Sequence, residues 1–342
     1  MPARVRAVPT LDTVAAEAGV SRQTVSNALN SPHLLRAETL ERVQAAIDSL
    51  GYTPNRAARN LRTKASQLIG LRLDPFVEGS ASGLMDRFMH ALAEACRDCG
   101  LHVLLFTAED HTDPLDGYEA LLGSRAVDAF VVTDTYRGNP AARWLSDRRV
   151  PFVAFGRPWD DSRADHPWVD VDGRAGVALA VDHVVDRGHQ RVAWIGWHKD
   201  SYIGEDRRSG WVQRMHERGL ATSKLSARGD DTIDFGRRAA IALLEGAAPT
   251  AFLCASDTLA MGVLQALRDK GIRTGGNPAH EVAVVGFDDS LPAQVTDLTS
   301  VRQPLEEVAV ELVRLLDERM THPMDEQRGV LLTPSLRLRS SS

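Results

Sequence analysis

The sequence is poor in cysteine and aromatic residues and has no long apolar run. Three cysteines in 342 residues argue against a disulfide-stapled scaffold and are typical of a reducing compartment. No stretch approaches the roughly 20 apolar residues of a membrane span, and the first 20 residues are too polar to contain the apolar core of a secretion signal. With 43% hydrophobic residues the chain can nevertheless form large cores. We therefore expect a cytoplasmic protein of two or three domains with no membrane partner.

The charges are divided unevenly along the chain. A formal net charge of −6 for the whole sequence speaks by itself against a nucleic-acid partner. Residues 1–65, however, hold nine basic and five acidic side chains, a balance of +4, so the rest of the chain carries −10. This asymmetry favours a small polyanion-binding module on a larger acidic body, although a solvated basic helix face would give the same balance.

The first 52 residues have the pattern of three short helices. Leu11–Ala18 has apolar residues at helical spacing and is followed by Gly19, and Ser21 can cap a second helix. A third helix over Leu40–Leu50 ends at Gly51. Two short helices joined by a tight turn and packed on a third form a helix-turn-helix unit. The outer face of its second helix carries side chains that pair with base edges or hold phosphates, namely Arg22, Gln23, Ser26 and Asn27.

Residues 53–65 predict a short fourth helix followed by a linker. Thr53 can cap this helix, and Pro54 suits its first position. The helix is shorter than the roughly 12 residues that an isolated helix needs in water, and its apolar face is small. The segment therefore either frays as a linker or folds only against a partner.

From residue 66 the pattern changes to short apolar strands that alternate with helices. The runs typical of buried parallel strands are QLIGLRL, LHVLLF, DAFVVT and PFVAF, then WVDVD, RVAWIG, KLSAR, AFLCAS and EVAVVGF. Gly and Pro clusters near 156–167 and 290–304 divide them into two doubly wound parallel-sheet lobes. We expect an N-lobe of about 66–160 and 291–326 and a C-lobe of about 161–290 and 327–338.

The strand ends of such lobes face a common cleft and provide candidate ligand-binding residues. They are mostly carboxylates and hydrogen-bonding groups with a few aromatic rings, which suits a neutral polyhydroxy ligand. The candidates are Asp74, Phe76, Thr133, Asp134, Arg157, Asp172, Trp197, Ser256, Asp257 and Asp288. For Asp257 and Asp288 the alternative is a helix or loop cap.

No enzyme motif accompanies these residues. The sequence has no phosphate-binding loop, dinucleotide fingerprint, HExxH zinc site or nucleophile elbow, so we predict no enzymatic activity and no cofactor or metal. Cys96 and Cys99 form a CxxC at the end of a predicted helix, where the helix dipole does not lower a thiol pKa. Ordinary thiols are therefore favoured there over a metal or redox site.

Several motifs together carry a family resemblance. LDTVAAEAGVSRQTVSNALN, GYTPNRAARNL, SDTLAMGVLQALRDKGI and VAVVGFDD resemble the LacI/GalR (lactose-repressor) family of bacterial transcription regulators, and the similarity extends over about residues 10–338. It implies an all-α helix-turn-helix headpiece at 1–52, a hinge helix and linker at 53–65, and a periplasmic-binding-protein-like effector and dimerisation domain at 66–338. It also implies a homodimer on double-stranded operator DNA in the nucleoid.

The resemblance implies a set of DNA-binding residues. Arg22, Gln23 and Asn27 would read bases in the major groove, and Ser21, Thr24 and Ser26 would contact phosphates or pack the helix. Asn55, Ala58 and Leu61 would belong to a hinge helix in the minor groove, where Leu61 unstacks the central base step at a cost of a few kcal/mol. The alternative for Leu61 is a buried linker leucine.

The resemblance also implies effector-binding residues. Arg207 corresponds to an arginine that clamps the effector, and Asp288 to a carboxylate that binds it from an opposite strand end. Asp231 stands where the family often has an aromatic platform, so an aromatic base must come from Phe76, Trp168, Trp197 or Tyr202. The predicted effector-binding set combines the resemblance with the strand-end residues and consists of Arg207, Asp288, Ser256, Asp134, Arg157, Phe76 and Trp168.

These implications lead to a functional expectation. We expect a repressor that binds a near-palindromic operator and is released by a mono- or oligosaccharide, in a subgroup that controls oligosaccharide or glucoside use. A corepressor-dependent regulator remains an alternative, and a solute-binding protein would not need residues 10–62. The helix GLMDRFMHALAEAC and the strand DAFVVT are the candidate dimer surfaces.

Overall fold

The structure is a computed structural model with two units, Met1–Ala65, which contains the headpiece, and Ser66–Ser342 (the body). It describes residues 9–53, 65–73, 83–107, 113, 115–133, 135–136, 139–159, 164–321 and 328–342. None of the helices in these ranges is long and apolar enough to cross a membrane.

The headpiece consists of three helices around a small core. They are α1 (Leu11–Ala18), α2 (Arg22–Asn30) and α3 (Ala37–Leu50), with a 3-10 turn at Pro32–Leu34. The hydroxyl of Thr10 accepts a hydrogen bond from the first turn of α1, and the hydroxyl of Ser21 does the same for α2. The three helices bury Val14, Val25 and Val43 completely, and this contact stabilises helices too short to persist alone.

The N-lobe of the body is a parallel sheet of six strands in the order β11-β5-β4-β3-β1-β2. Its strands are β1 (Leu68–Arg72), β2 (His102–Phe106), β3 (Ala129–Val132), β4 (Phe152–Phe155), β5 (Trp168–Val171) and β11 (Gly329–Leu332). Its helices are α4 (Leu84–Asp98), α5 (Tyr118–Gly123), α6 (Pro140–Asp147) and α12 (Leu305–Thr321). Helices α4 and α12 share one apolar cluster with the sheet, while α5 and α6 share a second.

The C-lobe has a six-stranded sheet in the order β12-β10-β9-β8-β6-β7, antiparallel only between β10 and β12. Its strands are β6 (Val192–Trp197), β7 (Ser226–Gly229), β8 (Ala251–Cys254), β9 (Ala283–Phe287), β10 (Thr299–Arg302) and β12 (Ser335–Arg337). Its helices are α7 (Gly173–Asp186), α8 (Tyr202–Glu217), α9 (Ile233–Gly246), α10 (Asp257–Asp269) and α11 (Leu291–Val295). One continuous core that includes Trp194 and Trp211 joins its helices to its sheet.

Three strands lie in the other lobe from the one expected from the sequence. The predicted boundaries at 160, 290 and 326 put β5 and β11 in the C-lobe and β10 in the N-lobe. In the structure β5 pairs with β4, and β11 pairs with β5, so both belong to the N-lobe sheet. Strand β10 pairs with β9 and belongs to the C-lobe sheet. Gly and Pro clusters mark loops, and loops also join elements within one lobe, so they do not indicate which sheet a following strand completes. The chain thus crosses between the lobes three times, after β5, β10 and β11.

The strand DAFVVT is not an accessible surface, and its assignment as a candidate dimer surface was wrong. It corresponds to β3, which pairs with β1 on one side and β4 on the other. All four of its residues are buried. Continuous burial on both faces is what a central parallel strand requires.

Candidate functional site

A cavity lies between the two lobes at the carboxyl ends of several strands. The N-lobe contributes Thr133 after β3 and Arg157 after β4, and the C-lobe contributes Trp197 from the end of β6. The remaining wall is largely apolar with a few charged groups, as is usual for a small-molecule site. The other lining residues are Leu84, Met85, Phe155, Gly156, Trp159, Asp170, Val171, Gly173, Ile203, Asp206, Arg207 and Gln303.

Arg207 is the most buried cation of this cavity. Helix α8 places its guanidinium 3.7 Å from the centroid of the Phe287 ring and 5.1 Å from that of Trp197. One terminal nitrogen donates to the carbonyl of Ala255 at 2.5 Å, while the buried Nε has no acceptor among the described residues. Burial lowers the pKa of Arg207, but a guanidinium stays protonated at neutral pH. An unpaired buried donor costs about 1–3 kcal/mol, so a ligand that supplies an acceptor gains that energy.

Asp288 lies behind Arg207 and is not part of the cavity wall. Its Oδ1 accepts a hydrogen bond from Gln303 at 2.7 Å and lies 4.0 Å from the Arg207 guanidinium. Burial raises the pKa of Asp288 to about 7, against the opposing effect of Arg207. Its φ of 115° is strained for a residue with a side chain, a feature found where the surrounding structure fixes a functional group.

An ion-pair network beside the cavity joins the two lobes. Arg157 of the N-lobe donates to Asp170 at 2.6 Å and, across the gap, to Asp206 of α8 at 3.4 Å. Asp206 also accepts from Arg174 of α7 at 3.1 Å. Burial raises the pKa of Asp170, and the neighbouring Arg157 opposes this shift. Losing Arg157 would leave the largely buried Asp170 poorly compensated, whereas Asp206 would keep Arg174.

Three of the predicted cleft residues have structural partners away from the cavity. The Ser256 hydroxyl accepts from the Leu259 amide as the cap of α10 and donates to Asp231. Asp172 caps α7 through the Ala175 amide. Asp257 accepts from the Ser290 amide and from the Ser300 hydroxyl inside the C-lobe.

Trp168 does not supply an aromatic wall for the cavity, contrary to the expectation from the sequence. It begins β5, so it lies at the amino end of the sheet, whereas the cavity lies at the carboxyl ends. Its ring instead covers Gly329, where an added Cβ would lie 2.1 Å from the indole. Asp74, Phe76 and Asp134, also predicted as cleft residues, fall outside the described residues.

Several cavity residues were missed by the reasoning from sequence. Trp159 lies in the loop after β4, and its ring stacks on that of Tyr202 at a centroid distance of 6.2 Å. Asp206 directly precedes Arg207 in the sequence. An acidic residue next to a predicted ligand-binding arginine could have indicated a second cavity residue. Gln303 lies in the crossing between β10 and α12, and nothing in the local sequence indicates its contact with Asp288.

The exposed face of α2 forms the second candidate site. Arg22 and Gln23 are exposed, and the Gln23 amide donates to Asn27 at 2.9 Å. Arg22 lies 3.8 Å from Asp12, an exposed pair worth little energy that DNA can displace. Ser21 has its hydroxyl 2.9 Å from that of Thr24, and Ser26 is half-buried. The predicted hinge residues Asn55, Ala58 and Leu61 lie outside the described residues.

None of the three cysteines forms a disulfide. Cys96 and Cys254 are buried, Cys99 is exposed, and all three are free. Burial raises the pKa of Cys96 to about 12, which keeps its thiol protonated and unreactive. Within the described part of the chain, no group of three or more His, Cys, Asp or Glu side chains is placed to hold a metal ion.

Comparisons with known proteins match both units. Residues 10–55 match the model of bacterial regulatory proteins of the lacI family, and residues 181–342 match a periplasmic binding protein-like domain. Over 344 residues the chain is 33% identical to the HTH-type transcriptional regulator CelR of Thermobifida fusca, covering 97% of this chain and 98% of that protein. The chain belongs to the LacI family.

Solved structures of LacI-family proteins have the same fold. A CelR–cellobiose complex is 30% identical with a TM-score of 0.72, covering 98% of this chain and all of that one. The lac repressor dimer bound to operator and the anti-inducer ONPF is 26% identical with a TM-score of 0.75, covering 97% and 98% of the two chains. This LacI-family member is therefore a DNA-binding transcriptional regulator with a helix-turn-helix headpiece and an effector-binding body.

Proposed function

We propose that the protein is a homodimeric cytoplasmic repressor of a near-palindromic operator, released when a sugar-like effector binds between the lobes. The unpaired Arg207 donor in the interlobe cavity is the observation that carries this proposal, since hydroxyl and ring oxygens of a saccharide are acceptors. The indole of Trp197 adds a second buried N–H without a partner in the described structure. The relatives are regulators, and we infer that the body senses a ligand without catalysing a reaction.

The proposed mechanism couples the cavity to the headpiece through lobe closure. A ligand held by Arg207 and Trp197 from the C-lobe and by Thr133 from the N-lobe favours one relative position of the lobes. The pair between Arg157 and Asp206 spans the same gap and is made or broken in that movement. Because coupling between sites is reciprocal, an inducer must bind the DNA-free arrangement more tightly than the DNA-bound one.

A titration of operator binding against sugars tests the proposal. The operator is first selected from random DNA, and its release is followed by fluorescence anisotropy with cellobiose and a panel of mono- and disaccharides. We expect Arg207→Ala to bind operator normally and to need at least tenfold more sugar for release. Arg214→Ala is the matched control, because Arg214 lies on the same helix but pairs with Asp182 and Glu217 at the surface.

Two results would contradict the proposal. If the same sugar concentration releases the Arg207→Ala variant and the wild type from operator, the sugar does not bind in the interlobe cavity. Tighter operator binding with sugar would leave the cavity assignment intact and make the ligand a corepressor.

A further inference from the structure

A second cavity lies in the N-lobe, beside the interlobe cavity. It has a volume of about 230 Å³ and lies between α6 and the crossover from β4 to β5. Crossovers between parallel strands usually contain a helix that covers the sheet. The described residues of this crossover, 156–159 and 164–167, contain none, and Val132 and Ala154 of the sheet line the gap.

The wall of this cavity has the chemistry of a saccharide subsite. Tyr136 and Trp159 provide aromatic surface, and Arg143, Asp147 and Asp165 provide a cation and two carboxylates. Aromatic rings pack against the apolar face of a sugar, and charged groups pair with its hydroxyls. The buried Nε1 of Trp159 has no hydrogen-bond partner in the described structure.

The two cavities have one lining residue in common. Trp159 lines both, and its neighbours alternate, with Arg157 on the interlobe cavity and Pro158 on the second one. The segment after β3 also contributes to both cavities, because Thr133 lines the interlobe cavity and Thr135 lines the second one. Both cavities therefore include residues at the carboxyl ends of β3 and β4.

We propose that the second cavity binds a pyranose ring, with Trp159 as the wall that it shares with the interlobe cavity. This inference rests on the proposed function for the first ring. The ring in the second cavity comes either from the next unit of an oligosaccharide whose first unit lies between the lobes, or from a separate saccharide molecule. The first source predicts one ligand per chain and affinity that rises with chain length, and the second predicts two ligands per chain.

Calorimetry with glucose, cellobiose and cellotriose tests this inference on the full-length protein. Ala142→Phe fills the second cavity from α6, and Arg143→Ala removes its cation with less risk to folding. We expect Ala142→Phe to weaken cellobiose binding at least tenfold and leave glucose binding unchanged, or to reduce two bound sugars to one. Ala242→Phe, on an exposed position of α9, is the matched control.

The outcomes separate this inference from the proposed function. If sugar affinity depends on Arg207 but neither Ala142→Phe nor Arg143→Ala changes affinity or stoichiometry, the second cavity binds no saccharide. If none of these sugars binds the wild-type protein, or if Arg207→Ala leaves the sugar affinity unchanged, the proposed function is wrong and so is this inference.

Discussion

Replacing Asp288 with asparagine should remove a pH-dependent part of the stability of the body. Burial raises the pKa of Asp288 from 3.8 to about 7, so the folded state keeps a proton that the unfolded state loses near pH 4. The resulting stability is complete below pH 4 and is lost as the pH rises through 7. Between these two pKa values, one such proton lowers the free energy of unfolding by ~1.4 kcal/mol for each unit that the pH rises. From pH 5 to pH 7, wild type should therefore lose about 2 kcal/mol relative to Asp288→Asn.

The comparison of the two proteins isolates Asp288 from other titrating groups. Asp257, whose pKa burial raises to about 6, has the same sign as Asp288 and is coupled to it. His183 and His189 have the opposite sign, because burial lowers the pKa of each, so they add stability as the pH rises towards 6.5. All three groups are present in both proteins. The effect of the two histidines cancels in the difference, whereas that of Asp257 cancels only in the part that does not depend on the charge of Asp288.

Urea unfolding at pH 5, 6 and 7 measures this difference. All six tryptophans lie beyond residue 66, so tryptophan fluorescence follows the body and not the headpiece. Asp98→Asn is the control, because that carboxylate is exposed at the end of α4 beside Arg97. A difference between wild type and Asp288→Asn that stays constant from pH 5 to pH 7 would show that Asp288 does not carry an extra proton in the folded state.

Three further predictions concern DNA reading and packing. Gln23→Ala should reduce discrimination between operator bases by about 1–3 kcal/mol and spare nonspecific DNA, and equal losses on both in anisotropy titrations would exclude base reading. Leu61→Ala should reduce operator bending in a gel-mobility assay, and an unchanged bend would exclude a wedge. Gly262→Ala should destabilise the body by roughly 1–3 kcal/mol in urea, since its Cβ would lie 2.2 Å from the Ile233 carbonyl. Gly246→Ala, with nothing within 4 Å of its Cβ, should not destabilise it.

The secondary structure of the body was predictable because each element has a strong local signal. Apolar runs of four to six residues mark the buried strands, and the run AFLC became β8 with every residue buried. The headpiece was predictable for the same reason, since Gly51 ends α3 in the left-handed conformation that glycine favours. The motif around Arg207 was sufficient to place that residue at the interlobe cavity.

The remaining features depend on contacts between distant parts of the chain. Gln303 reaches Asp288 only because β10 lies beside β9 and then leads into the other lobe. Trp168 and Trp197 both belong to β-strands, but only the strand direction shows that one begins its strand and the other ends it. The runs WVDVD and RVAWIG already contain this order along the sequence, whereas residue type, by which both tryptophans are candidate aromatic walls, does not separate the two cases.

The three crossings between the lobes determine which parts of this protein can be exchanged as modules. Because β11 returns to the N-lobe after β10 and β12 then returns to the C-lobe, neither lobe is a continuous stretch of sequence. A recombination event at one point inside the body would join halves of two different sheets and disrupt both cores. The unit that contains the headpiece, by contrast, is continuous from Met1 to Ala65. New pairings of operator and effector can therefore arise by exchange at residues 65–66, whereas a new effector preference must arise by substitutions within an intact body.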